Sequence, residues 1–296
     1  MITLIKRNIL VYTRDRMAFF MSFLSVIILL ILYQVFLGQF QLDAIKTSMG
    51  TATVSSSVIE MVNFWLISGL TTVVSLTSTL GAFSVMVSDK EKKLDEDFTI
   101  SACPTWKLET TYIFAAVILG TLITLVCCLA GILLFNGFNG LVIFSLVDFL
   151  KIIGLVFWSC LLSATIILPF LSFIKSASAF STLSTIVGTL IGFLSGVYIS
   201  IGSVGKVLAQ IMTWFPMTQM NTLLKNVLMS HSLKKVFKGA PEQIESNYKI
   251  SYGIILKTVN NHELSISTMT VYIFICMVGL LLAYLFIKKG LRHVKK

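Results

Sequence analysis

Four hydroxyl residues in one apolar stretch, Ser68, Thr72, Ser75 and Thr79, recur at intervals of 4, 3 and 4, which places them on one helical face. Such a face is polar without being charged. Its hydroxyls can bond back to their own helix carbonyls and serve packing, or they can line a route for amphiphilic molecules without trapping ions. A second stripe, Ser181, Thr185, Gly188, Gly192 and Gly196, contains two overlapping G-x-x-x-G units. Small residues at that spacing let helix backbones approach closely, within one chain or between two, and Thr185 adds a hydroxyl to the route reading.

Other chemistries lack their residues. The nearest approach to a phosphate-binding loop, Gly202-Ser-Val-Gly205-Lys206-Val207, has neither the spacing nor the hydroxyl, so ATP is not bound by that route. His231, His262 and His293 are scattered, with no H-E-x-x-H and no Cys/His pairing, so no metal is implied. No G-x-S-x-G occurs, and no catalytic residue is assigned. Carboxylates are missing from the middle of every apolar run, where a proton pump or intramembrane protease would need them. Glu60 and the pair Asp148 and Lys151 fall at run ends, where a spacing of three permits an ion pair or a solvated end. Of the five cysteines, Cys127, Cys128, Cys160 and Cys276 lie in apolar runs as small hydrophobes, and with Cys103 they form no C-x-x-C, so no disulfide framework is expected.

The elements that hold these stripes follow from composition. Of 296 residues, 56% are hydrophobic and 12% charged, and the mean hydropathy is +0.92. So few charges cannot cover a water-facing surface, which excludes soluble enzymes and nucleic-acid readers despite a net charge of +10. Six runs are long and apolar enough to cross a bilayer, approximately 17–37, 63–87, 111–135, 152–170, 179–201 and 270–287. The sequence therefore predicts an all-α integral membrane protein of one domain, resident in the cell membrane. Basic residues gather before the first run (Lys6, Arg7, Arg14, Arg16), in 88–110 and in the tail, which predicts cytoplasmic termini. The first run is too long for a signal peptide and lacks a cleavage site, so it reads as a retained span. Ile2, Ile5, Ile9 and Tyr12 predict an interfacial N-terminal helix. Residues 207–229, broken at Phe215-Pro216, predict short helices in or dipping into the outer leaflet, and 231–262 predict an exposed outer loop.

The most charged connection runs Asp89-Lys90-Glu91-Lys92-Lys93-Leu94-Asp95-Glu96-Asp97-Phe98. It reads either as a solvated run or, because Leu94 and Phe98 lie four apart, as a short helix offering an apolar edge to a cytoplasmic partner.

These residues in this order resemble the permease subunits of type 2 ATP-binding-cassette (ABC) exporters. Within the loop, Asp89-Lys90, Asp97-Phe98, Ala102-Cys103-Pro104 and Tyr112 are similar to a Gram-positive haemolysin- and drug-export branch. Phe215-Pro216 followed by Leu223-Leu224-Lys225-Asn226-Val227-Leu228-Met229 resembles the family's segment before the last span, with lysine at 225 where arginine is common. The resemblance implies a second permease subunit, identical or related, and cytoplasmic ATPase subunits that bind ATP and magnesium. Asp89, Lys90, Glu91, Leu94, Asp97 and Phe98 would then form the coupling helix, and the second and fifth spans would line the cavity. Two other classes compete: an ion-coupled secondary transporter, and a non-transporting membrane sensor whose outer loop, with Lys234, Lys235 and Lys238, binds an anionic ligand.

Overall fold

The structure is a computed structural model that describes residues 1–49, 55–94, 104–258 and 262–294. Helix α1 (Ile2–Arg14) is followed by α2 (Arg16–Leu32), which passes through a π-helical segment, Tyr33–Gly38, into α3 (Gln39–Met49). Next come α4 (Ser56–Ala82), α5 (Ser84–Glu91), α6 (Thr105–Val142), α7 (Leu146–Leu171) and α8 (Ala177–Leu194). Four short helices follow: α9 (Lys206–Trp214), α10 (Pro216–Leu228), α11 (Ser230–Val236) and α12 (Glu242–Ser251). The last is α13 (Ile266–Val294). Among the described residues there is no β-strand, only one isolated bridge between Lys257 and Glu263.

Six stretches among the described residues are helical, long and apolar enough to cross a membrane: Val26–Asp43, Ser56–Glu91, Thr105–Val142, Leu146–Leu171, Ala177–Leu194 and Ile266–Gly290. Their ends depart from the sequence expectation for local reasons. The third run continues to Val142, but Gly137 takes φ +63° and bends it, close to the predicted end at 135. The fourth begins earlier than predicted because Ser145 and Asp148 form a reciprocal cap: the Ser145 hydroxyl accepts from the Asp148 N–H, and the Asp148 carboxylate accepts from the Ser145 N–H. The fifth stops at Leu194 rather than 201, because the chain turns at Gly196 with φ +67°. Its 18 residues rise about 27 Å, close to the thickness of a bilayer core.

Helix α4 is the centre of the bundle, packed against α6, α7, α8, α10 and α11. A helix enclosed this way must satisfy its polar groups locally, and α4 does so. Thr71, Thr72 and Thr79 donate to carbonyls one turn back at 2.7–3.0 Å. Small residues let its neighbours approach: a Cβ on Gly120 of α6 would stand 2.3 Å from Thr79 Oγ1, and one on Gly69 would stand 2.6 Å from Val197.

Three regions pack more closely than the sequence alone suggests. Helix α10 is buried against α4, α7 and α13 with Met217, Met220 and Leu224 at its core, so it is a packed element of the bundle, whereas α9 before it keeps an exposed apolar face. The 231–262 stretch is not simply an exposed loop, since α11 and α12 form within it and Ser232 and Leu233 are buried. Helix α1 buries Asn8 and Tyr12 against the bundle, packs Leu4 and Ile9 beside them and leaves Ile2 exposed.

Candidate functional site

The charged residues that begin the predicted coupling segment lie on α5, which continues beyond α4 after a turn at Phe83. Asp89 is buried. Both terminal nitrogens of Arg7 on α1 donate to its carboxylate, Nη2 at 3.1 Å, and the Tyr112 hydroxyl on α6 donates to Oδ2 at 2.5 Å. The Asn8 amide donates to Thr111 Oγ1 at 3.4 Å beside them. A bidentate guanidinium and a phenol give the carboxylate charge-assisted partners at three points. Asp89 in turn holds the Arg7 guanidinium above its ordinary value, chiefly through the hydrogen bond.

The next two residues straddle the turn between α7 and α8. Lys90 Nζ donates to the Leu171 carbonyl, at the last residue of α7, at 3.3 Å. Glu91 Oε1 accepts from the Ala177 N–H, at the first residue of α8, at 3.3 Å. A cation therefore meets a helix C-terminus and an anion meets a helix N-terminus, the polarity that each helix dipole favours. Three consecutive side chains thus connect α5 to α1, α6, α7 and α8. Beyond them Lys93 takes φ +58° and Leu94 is half-buried. Asp97 and Phe98 lie outside the described residues.

The hydroxyl stripe of α4 faces protein. Ser68, Thr72, Ser75 and Thr79 are all fully buried, and each donates to a carbonyl of its own helix. Ser75 also meets the hydroxyl of Ser159 on α7 at 2.6 Å, and Ser78 meets Thr124 on α6 at 3.2 Å. In this conformation none of the four is open to a passing molecule. On α8 the arrangement is the reverse: Thr185 is exposed, with Ser181, Thr182 and Thr189 beside it, while its own hydroxyl bonds the Ser181 carbonyl at 3.0 Å.

The three glycines of the stripe have three different surroundings. A Cβ on Gly188 would approach Thr77 of α4 only to 4.0 Å, whereas on Gly192 it would enter the Tyr198 ring at 2.0 Å. Gly192 therefore serves close packing within the chain, where the backbone folds back after the helix. Gly196 lies past the helix end, and its left-handed conformation is its requirement.

Lys225 forms a second polar centre. It is buried on α10, with Nζ donating to the Tyr252 carbonyl at 2.9 Å and lying 5.1 Å from the centre of the Trp65 ring. Trp65 Nε1 donates to that same carbonyl at 3.0 Å. Burial pushes the Lys225 amine down to about 7. Nearby, Thr218 donates to the Leu194 carbonyl and the Asn221 amide donates to that of Ser195, so α10 caps the end of α8.

Sequence spacing missed the partners that complete these sites. Arg7 read as one of several flanking cations, and nothing in its position announced Asp89, 82 residues away. Gly120 and Ser159 did carry a signal, as small residues inside apolar runs, but not which helix they would meet. No protein-family model and no curated protein sequence matches the chain.

Proposed function

We propose that this chain is the permease subunit of an ATP-driven exporter of the type 2 ABC class, moving amphiphilic or hydrophobic molecules out across the cell membrane of a Gram-positive bacterium. Both termini are cytoplasmic in this reading, and the chain works with a second permease subunit, identical or related. Cytoplasmic ATPase partners bind ATP and magnesium; the chain itself hydrolyses nothing.

The observation that supports the reading most is the placement of Asp89, Lys90 and Glu91 at the end of the central rod. A partner pressing on the segment from Leu94 onward, with Asp97 and Phe98 as its contact residues, would displace α5. The bonds already described would pass that displacement to α1 and α6 through Asp89 and to the α7–α8 turn through Lys90 and Glu91. Rigid helices joined by charge-assisted bonds are suited to carry such a push. The exposed hydroxyl face of α8 around Thr185 then offers the route between two subunits, polar enough for amphiphiles and without a charge to hold them.

The test is co-expression with a candidate ATPase, copurification, and ATP-dependent transport of a fluorescent amphiphile in proteoliposomes. Asp97→Ala with Phe98→Ala loses both ATPase copurification and transport while inserting normally. Asp89→Asn keeps the ATPase and loses most transport. Retention of both activities by the double variant sinks the coupling assignment.

A further inference from the structure

The N-terminal halves of α7 and α13, together with α10, line a groove of about 520 Å³. Its size is that of a small-molecule site. Leu155, Leu223, Val227 and Ile266 give it apolar walls, and Gly154 leaves one side open, since a Cβ there would meet nothing within 4 Å. Further along both helices the gap is closed where Trp158 Nε1 reaches the Met277 sulfur at 3.2 Å. The groove thus has a largely apolar lining.

Among the described residues Lys151 is the one charged residue in the lining, and no carboxylate lines it. Its side chain is more than half exposed, and its ammonium stands 3.8 Å from Asp148 Oδ1, a loose contact. Asp148 is occupied elsewhere: its Oδ2 accepts from the Ser145 N–H and hydroxyl and meets His231 at 3.3 Å. The Lys151 stem can lie along the apolar wall while its head stays at the mouth. Both α7 and α13 are long and apolar enough to cross a membrane, so apolar space between them suits an acyl chain.

We infer that this groove holds an acyl chain of a membrane phospholipid with a net negative head group, whose phosphate is recognised by Lys151. Charge complementarity selects the lipid class: a zwitterionic choline head group carries a cation that Lys151 repels, and a glycerol head group carries none. The site needs only that the chain reside in a membrane, and it stands or falls apart from export.

The experiment uses the full chain reconstituted in mixed vesicles of phosphatidylglycerol and phosphatidylcholine, extracted mildly, with retained lipid read by native mass spectrometry. The wild type retains phosphatidylglycerol in preference. Lys151→Gln lowers that preference about tenfold, Lys151→Arg keeps it, and Lys234→Gln on α11, outside the groove, leaves it unchanged. Gly154→Leu fills the groove and removes retained lipid of both kinds. Equal retention of the two lipids by the wild type overturns the proposal, and so does an unchanged preference in Lys151→Gln, which alters no packing and decides the matter even where Gly154→Leu fails to insert.

Discussion

Asp89 and Lys225 are both buried, near opposite ends of the rod formed by α4 and α5. Trp65, which the Lys225 ammonium faces, precedes Asp89 by 24 residues, roughly 36 Å of helix. Asp89 has a counter-charge: Arg7 meets it with two nitrogens, and Tyr112 adds a third donor. Among the described residues Lys225 has no acidic partner, only the Tyr252 carbonyl and the Trp65 ring. A carbonyl and a ring replace part of the lost hydration but not a full counter-charge, so burial brings the lysine down to about 7. One end is fixed by an ion pair, and the other is adjustable by a proton.

The largest effect comes from removing the counter-charge at the paired end. Asp89→Ala leaves a guanidinium and a phenol without their shared acceptor and costs about 3–5 kcal/mol, as breaking a buried pair does. Denaturation in mixed detergent micelles, followed by circular dichroism, measures it. The double change Asp89→Leu with Arg7→Met recovers most of that loss, because no uncompensated charge remains. If Asp89→Ala costs under about 1 kcal/mol, the pair behaves as a surface pair and the contrast between the ends disappears.

At the other end the effect depends on pH, and its sign is opposite to that of a paired lysine. The folded value, about 7, lies below the ordinary 10.5, so between these limits the unfolded chain holds the proton more tightly. Stability therefore rises with pH across that window, at up to about 1.4 kcal/mol per pH unit, and is flat below pH 7, where both states are charged. Burial raises Tyr248 and Tyr252, so both stay neutral through most of it. Lys225→Met keeps the length and removes the titration. It is more stable than the wild type at pH 6 and close to it near pH 10, since Trp65 Nε1 still occupies the Tyr252 carbonyl. Parallel pH profiles for wild type and variant would contradict a neutral lysine.

How much of this was legible beforehand varies with the interaction. Six apolar runs and the Phe215-Pro216 break are local signals, and each corresponds to a helix or a helix junction. The two small-polar stripes are different. In sequence α4 and α8 look alike, yet the hydroxyls of one are sealed among five helices and those of the other are exposed. Both sets bond their own backbone, so periodicity alone could not say which stripe would be buried. Gly188, Gly192 and Gly196 share a spacing but not a surrounding, because the helix ends between the second and the third. The Asp89 cluster was half legible: the charged run was visible, but its use in gripping α1, α7 and α8 depends on contacts between distant segments.

A smaller effect tests whether the polarity at the α7–α8 turn matters. Lys90→Glu with Glu91→Lys sets like against like at both helix ends and costs about 0.3–1 kcal/mol at each. Melting temperature is the measure. An unchanged value would mean that Lys90 and Glu91 merely lie near the turn, and the push proposed for α5 would have to travel through Asp89 alone.

The smallest effect belongs to the surface pairs at the Lys225 end. Lys235 on α11 meets Glu60 of α4 at 3.2 Å, but more than half of its side chain is exposed, so water and salt compete for both partners. Lys235→Gln therefore costs less than about 1 kcal/mol, and raising the salt removes even that difference in melting temperature. Apolar contacts of buried residues such as Leu233, rather than ion pairs, would then hold α11 in place. A loss above about 2 kcal/mol that persists in high salt would show that charge pairing organises this end as well, and Lys225 would then be the exception within its own region rather than its representative.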